Sequence, residues 1–145
     1  MKTLLKLAAI SLLAATATQA LAADKIKIGT EGAYPPFNSM TADGKVVGFD
    51  VDIANALCAQ MKAECEIVTQ DWDGIIPGLI AKKYDAIIAS MSITDERKQQ
   101  VDFTNPYYKS ALTFVAKAGS GVTEVTADTL KGKTVGAQAG TTQAD

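Results

Sequence analysis

The segment IIASMSITDERK, residues 87–98, places polar side chains at the end of an apolar run. Ser90 and Ser92 follow the run, and Arg97 lies within a charged helical turn that begins directly after them. Open parallel sheets bind ligands at the carboxyl ends of their strands, where helix N-termini present unpaired N–H groups. If the apolar run is a strand, the segment is a candidate binding site for a small ligand.

Three further segments place polar or aromatic residues directly after apolar runs. GTEGAYPPF contains Glu31 and Tyr34, QDWDG contains Trp72, and GTTQAD contains Thr141 and Thr142. Each segment alone has an ordinary interpretation, because aromatic side chains pack in cores, hydroxyl groups cap turns and charges lie on solvated surfaces. The coincidence of all four segments at strand ends favours one shared binding site.

Alternating strands and helices are predicted to position these segments. Apolar residues at every second position indicate strands, and apolar spacings of three and four residues indicate helices. The predicted strands are 25–30, 45–49, 66–69, 84–90, 110–117 and KTVGAQ at 133–138, and the predicted helices are 50–62, 74–82 and 127–131. This order predicts an α/β fold with an open, mostly parallel sheet.

Residues 1–22 have the pattern of a secretory signal. Lys2 and Lys6 precede an apolar stretch at 7–15, and ALA at the end of the segment is an A-x-A cleavage site. A transmembrane anchor is the alternative, but this stretch is too short to span about 30 Å of hydrocarbon. We therefore expect a mature chain that starts at Ala23, without a lipid anchor, in a Gram-negative periplasm.

The charge balance argues against a nucleic-acid partner. Without Lys2 and Lys6 of the signal, the 14 basic residues fall to 12 against 16 acidic residues, a net charge of −4. Phosphate binding relies on clustered lysine and arginine, which this balance does not favour.

The two cysteines, Cys58 and Cys65, allow more than one interpretation in an oxidising compartment. On one continuous helix their Cα atoms would be about 10.5 Å apart, beyond the limit of roughly 7 Å for a disulfide. A disulfide therefore requires the helix to end between them, and a turn near residues 62–64 permits this. The alternative is two buried free thiols. A metal site is disfavoured, because the chain has no histidine.

Over residues 25–143 the chain closely resembles the periplasmic amino-acid-binding proteins of ABC importers, solute-binding protein family 3. The resemblance is to the lysine/arginine/ornithine, histidine and octopine group, and it is carried by GTEGAYPPF, the SITxxR segment, GKTVGAQAGTTQ and the cysteines seven residues apart. It implies a two-lobed periplasmic-binding-protein fold of type II, in which two crossing strands join the lobes and the ligand is trapped between them.

The resemblance also implies how the chain divides into lobes. Residues 23–110 would form the N-terminal part of lobe one, and residues 111–145 the start of lobe two. The sequence stops at GAQAGTTQAD, where a predicted strand turns into a new helix. We therefore expect a truncated sequence that lacks the rest of lobe two and the return to lobe one.

The family pattern assigns the amino-acid backbone of the ligand to four residues. Arg97 would bind the α-carboxylate as a bidentate charged pair, with backbone N–H groups near Ser92 and Thr142 completing the shell. Ser90 would accept a hydrogen bond from the α-ammonium group.

The ligand's side chain is assigned to a second set. Tyr34 and Trp72 would enclose it, and Glu31 would meet a cationic end. Two positions depart from the family pattern: Ala89 stands where relatives often have a further serine, and Gln138 where an aliphatic residue is common.

These implications together predict a monomeric, non-enzymatic binding protein without a cofactor or metal. It would bind a free cationic amino acid, such as lysine, arginine or ornithine, or a related opine, and deliver it to an ABC permease in the inner membrane. One alternative is a periplasmic dehydratase acting on prephenate-like or arogenate-like acids, with Glu31 as its acid or base. The other is a sensory ligand-binding module on the same fold.

Overall fold

The structure is a computed structural model of the chain, and it describes residues 25–145. The predicted signal, residues 1–22, lies outside the described residues. The strands are β1 (Lys25–Thr30), β2 (Ala33–Tyr34), β3 (Asn38–Met40), β4 (Val46–Val47), β5 (Glu64–Thr69) and β6 (Ala86–Ile87). The helices are α1 (Phe49–Met61), α2 (Ile75–Ile80), α3 (Asp95–Lys98) and α4 (Ala127–Leu130), and a 3₁₀ turn at Trp72–Gly74 precedes α2. Within this part of the chain, no helix combines the length and hydropathy needed to cross a bilayer.

The main sheet has three parallel strands in the order β5-β1-β6. The central strand β1 pairs with β5 along its whole length, from Lys25 opposite Glu64 to Thr30 opposite Thr69. On its other side two residues of β1 pair with β6. Helices α1 and α2 connect the three strands, so the predicted parallel α/β architecture is confirmed.

Helix α1 covers the sheet because its small and apolar residues recur on one face. Val51, Ala54 and Cys58 are buried, at spacings of three and four residues, and the last two pack against Ile28 of β1. The helix ends at Met61, and the next residue, Lys62, caps it in a left-handed conformation with φ of 57°. The helix predicted at this place is confirmed, and its end leaves room for the turn into β5.

A second buried cluster fixes the chain at the end of β6. It consists of Ile75, Tyr84 and Ala89, and the Tyr84 hydroxyl donates a hydrogen bond to the backbone carbonyl of Ile75. The Tyr84 ring lies so close to β1 that a Cβ atom at Gly29 would meet it at 2.8 Å. The cluster therefore anchors the residue immediately before Ser90.

A small antiparallel sheet, β2-β3-β4, lies in the segment between β1 and α1. Tyr34 pairs with Asn38, and Ser39 pairs with Val47. The sequence predicted a strand at 45–49, which is confirmed in shorter form as β4. Strands β2 and β3 were not predicted, because two or three residues are too few to show an apolar alternation.

Three strand predictions need correction. The strand expected at 84–90 is reduced to the two residues of β6. The segments 110–117 and 133–138 form no strand, so those predictions are wrong for this structure. A strand requires a hydrogen-bonded neighbour, and neither segment has one among the described residues. The short helix expected at 127–131 is confirmed as α4.

Cys58 and Cys65 form a disulfide, which confirms that interpretation over two free thiols. Cys58 lies on α1 and Cys65 on β5, and the turn between the two elements brings their Cα atoms to 6.1 Å. The bridge thus joins the covering helix to an outer strand of the main sheet.

We expect reduction of this disulfide to lower the free energy of unfolding by about 2 to 3 kcal/mol, because it frees a short loop in the unfolded chain. Urea unfolding with and without dithiothreitol measures the difference. The Cys58→Ala/Cys65→Ala variant is the control, because the reductant should not change its stability. Equal stability of oxidised and reduced wild-type protein would contradict the prediction.

Candidate functional site

The carboxyl ends of the three parallel strands lie side by side. Beyond the strand ends, Gln70 donates its N–H to the Thr30 carbonyl at 3.0 Å, and Ile88 donates to the Gly29 carbonyl at 3.0 Å. The segments that follow the strands therefore leave the same edge of the sheet, and they carry the predicted residues Glu31, Trp72, Ser90, Ser92 and Arg97.

Arg97 is held in place from several directions. Thr94 caps α3 and accepts the Arg97 backbone N–H at 3.2 Å, which sets the position of the side chain on the first turn. The guanidinium donates to the carbonyl oxygens of Ser92 at 2.8 Å and Gly140 at 3.0 Å. Its central carbon lies 5.4 Å from the centroid of the Trp72 ring, within the range of a cation–π contact.

Trp72, Arg97 and Thr142 line one open cleft of about 360 Å³. The Trp72 indole N–H donates to the Gly140 carbonyl at 2.8 Å, so this carbonyl accepts from both Trp72 and Arg97. The structure thus brings together three of the predicted site residues around the backbone of Gly140. The volume is in the range of sites for small molecules.

Glu31 and Tyr34 do not line this cleft and have other partners. Glu31 Oε1 accepts a hydrogen bond from Nε2 of Gln138 at 2.5 Å. Tyr34 stacks on Phe37 with ring centroids 5.0 Å apart. The two aromatic residues predicted to enclose the ligand's side chain therefore both contact other residues of the protein. Tyr34 contacts Phe37, and Trp72 contacts the Arg97 guanidinium.

Ser90 adopts a left-handed conformation with φ of 49°. Its hydroxyl donates to Oδ1 of Asp50 at 2.8 Å, and its backbone N–H donates to the Tyr107 hydroxyl at 2.8 Å. The hydroxyl proton is thus engaged, while the lone pairs of the oxygen remain able to accept a hydrogen bond.

Asp50 is the centre of a buried polar network that the sequence did not reveal. Its carboxylate is fully buried and accepts from Asn38 Nδ2 at 2.7 Å, from Ser90 Oγ at 2.8 Å and from the Tyr107 hydroxyl at 2.8 Å. Asn38 in turn accepts the backbone N–H of Gly32 at 2.7 Å. We call these five residues the Asp50 network. It ties the loop after β1, the first turn of α1 and the end of β6 to one another.

Ser90 was predicted as a site residue, and one sequence signal was available for Asp50. An acidic residue in the first turn of a helix is favoured by the helix dipole, and Asp50 occupies such a position. Its partners Asn38 and Tyr107 lie 12 and 57 residues away, and no periodic pattern links them to it.

Tyr107 and Tyr108 also complete an aromatic cluster beside the network. Ring centroids within this cluster are 5.0 to 6.3 Å apart, and its members are Tyr34, Phe37, Phe49, Tyr107 and Tyr108. Aromatic pairs at such distances stabilise beyond their buried area by about 0.5 to 1.5 kcal/mol. The cluster therefore holds the predicted ligand-binding residue Tyr34 against the chain that follows α3.

The environment of Tyr107 raises the pKa of its hydroxyl to about 12. Burial is the largest cause, and the hydrogen bond to Asp50 and the charge of Asp50 add to it. Burial also raises the pKa of the Tyr84 hydroxyl.

The sequence of this chain matches a protein family and several characterised proteins. The description "Bacterial extracellular solute-binding proteins, family 3" matches residues 26–139. The L-arginine-binding protein of Pseudomonas aeruginosa is 55% identical over 122 residues, which cover 83% of this chain and 47% of that protein. The lysine/arginine/ornithine-binding periplasmic protein of Escherichia coli is 42% identical over 134 residues, covering 92% of this chain and 51% of that protein.

A solved structure agrees with these relatives. A periplasmic binding protein of Salmonella typhimurium, described by its high arginine specificity, is 49% identical with a TM-score of 0.58, and the match covers 59% of this chain and 38% of that one. The chain spans about half the length of the curated relatives it matches. The relatives are named as binding proteins, and the word periplasmic in two of the names confirms the predicted localisation.

Replacing Asp50 should destabilise the protein strongly. The Asp50→Ala variant leaves the buried Asn38 amide and the Ser90 and Tyr107 hydroxyls without their acceptor, which should cost about 3 kcal/mol. Urea unfolding measures the loss. Asp52→Ala is the matched control, because Asp52 is exposed on the same first turn and should cost about 0.5 kcal/mol. Equal losses for the two variants would mean that the network contributes nothing of its own.

The Tyr107 and Tyr84 hydroxyls should ionise at a higher pH than a free tyrosine. Ultraviolet difference spectroscopy should show late ionisation of Tyr107 and Tyr84, and Tyr107→Phe should remove one late transition. Because the folded state binds the Tyr107 proton more tightly than the unfolded chain, this contribution to stability is present below about pH 10 and lost toward about pH 12. A Tyr107 transition near pH 10 would contradict the assignment.

Proposed function

The chain belongs to the bacterial extracellular solute-binding proteins of family 3, and from this premise we propose that it binds a free cationic amino acid in the periplasm. The bound amino acid, lysine, arginine, ornithine or a related opine, is delivered to an ABC permease in the inner membrane. The names of the relatives support this ligand class, since they specify arginine, lysine and ornithine.

The position of Arg97 carries the proposal. Its guanidinium has five N–H donors and uses two of them on the Ser92 and Gly140 carbonyls. The remaining donors can grip a carboxylate in the bidentate geometry that arginine favours. Thr142 lines the same cleft, and its backbone N–H and that of Ser92 are proposed to complete the carboxylate site.

The α-ammonium group is assigned to Ser90. Its oxygen can accept a hydrogen bond from the ligand while its O–H continues to donate to Asp50. The buried carboxylate behind Ser90 places a negative charge on the side of the site where a cation would bind, which favours the ammonium group.

Glu31, Tyr34 and Trp72 are assigned to the ligand's side chain. Aromatic faces flank an alkyl chain and a cation well, and Glu31 supplies the opposite charge. A cationic ligand would therefore be preferred over an acidic one, which Glu31 would repel.

Binding is proposed to couple to closure of two lobes. Residues 23–110 belong to the first lobe and residues 111–145 to the second. A ligand that contacts both lobes has a higher affinity for the closed form and shifts the equilibrium toward it. The protein acts as a monomer without a cofactor, a metal or a nucleic-acid partner.

We propose binding rather than catalysis, because both relatives described above are binding proteins. A dehydratase would need a proton-transferring group aimed at its substrate, and the candidate Glu31 already accepts a hydrogen bond from Gln138. Incubation of the protein with prephenate, followed by assay for the dehydrated product, distinguishes the enzyme from the binding protein.

Arg97→Ala should abolish amino-acid binding while the protein stays folded. Loss of the charged pair should weaken binding by about 3 to 5 kcal/mol. The measurement is a thermal-shift panel of the twenty amino acids, ornithine and opines on the full-length gene product, followed by calorimetry, because a ligand raises stability by RT ln(1 + [L]/Kd).

Lys98→Ala is the control for this experiment, because Lys98 lies next to Arg97 and its ammonium group pairs with Asp95. It should bind like wild type. Affinity of Arg97→Ala within threefold of wild type would refute the carboxylate assignment.

A further inference from the structure

Gln138 contacts the predicted cation-binding residue although 107 positions separate them in the chain. Its side-chain Nε2 donates to Glu31 Oε1 at 2.5 Å. The sequence marked Gln138 as a departure from the family pattern, and the proposed ligand contacts do not include it. The proposed function therefore does not explain why Gln138 contacts Glu31.

The turn that carries Gln138 is fixed at the site by independent contacts. The buried Thr141 donates its hydroxyl to the Gln138 carbonyl at 2.6 Å. Two residues further along from Gln138, the Gly140 carbonyl is held by Trp72 and Arg97. The position of Gln138 beside Glu31 is thus set by the same residues that form the cleft.

The contact leaves one unused acceptor atom on each of the two side chains. Glu31 uses Oε1 for Gln138, so its second carboxylate oxygen, Oε2, can accept from a ligand. The Gln138 amide oxygen belongs to the same amide group that donates to Glu31, so the contact places it near the carboxylate. A carboxylate oxygen and an amide oxygen on contacting side chains are thus both available as acceptors.

Two acceptors at separate points suit a guanidinium better than an ammonium. A guanidinium is planar and carries N–H groups on three nitrogens in a rigid fork. An ammonium is a compact point charge with three rotatable donors on a flexible stem, so it depends less on where its acceptors lie. Removing one of the two acceptors should therefore affect the two cations differently.

We propose that Gln138 is a specificity-determining residue which, together with Glu31, forms a receptor for a guanidinium group. The receptor selects arginine-like ligands over lysine-like ligands, and this inference rests on the proposed function. Glu31 supplies the charge, and Gln138 supplies a neutral acceptor and holds the Glu31 carboxylate in one orientation. An aliphatic residue at position 138 would keep the charge preference and lose the preference for a guanidinium.

The test compares binding of L-arginine and L-lysine by calorimetry on four forms of the full-length gene product. The variant is Gln138→Met, which keeps the length of the side chain and removes its polar atoms. Gln60→Met is the matched control, because Gln60 is an exposed glutamine on α1. Thermal melting verifies that Gln138→Met is folded, as expected for an exposed position.

We expect wild type to bind arginine more tightly than lysine. Gln138→Met should weaken the affinity for arginine about tenfold, or about 1.4 kcal/mol. It should weaken the affinity for lysine less than threefold, so the ratio of the two affinities falls. Gln60→Met should reproduce wild type for both ligands. Glu31→Gln, by contrast, should weaken the affinity for both ligands, because it removes the negative charge that both cations require.

Two results would overturn the inference while leaving the proposed function intact. One is a wild-type protein that prefers lysine, and the other is an arginine-to-lysine ratio that Gln138→Met leaves unchanged. A wild-type protein that binds no amino acid would instead overturn the proposed function, and the inference with it.

Discussion

The buried carboxylate of Asp50 is the constraint on which the geometry of the site depends. An ionised group out of contact with water is costly unless hydrogen bonds satisfy it. Asn38, Ser90 and Tyr107 supply those bonds, and each comes from a different segment of the chain. If one of the three moves away, the buried carboxylate loses a hydrogen bond that water cannot replace. The loop after β1 and the end of β6 are therefore held in one arrangement.

The same network explains the unusual backbone at Ser90. A left-handed conformation at a non-glycine residue costs about 1 to 3 kcal/mol and persists where the surroundings impose it. The two hydrogen bonds from Ser90 to Asp50 and Tyr107 supply that compensation. The turn at Ser90 then directs the chain into α3, where the cap by Thr94 presents Arg97 to the cleft.

Local patterns in the sequence predicted the scaffold well. The alternation in residues 25–30 and the helical spacing of Val51, Ala54 and Cys58 give β1 and α1 within a residue or two. The segment 110–117 has an equally clear strand pattern but forms none, because strand formation depends on a neighbour as well as on the sequence itself. Pattern reasoning therefore predicts an element's preference, and pairing decides whether the element forms.

The site could be predicted only as a set of residue types at strand ends. Which of them meet is decided by contacts between distant parts of the chain, such as Glu31 with Gln138 and Trp72 with Gly140. The same contacts leave room for the proposed ligand. Arg97 gives one N–H to Ser92 and one to Gly140, so three of its five N–H donors stay available for a ligand carboxylate. A hydrogen-bonded pair of two charged groups is the stronger kind, and it can form without breaking the contact that holds the turn at Gly140.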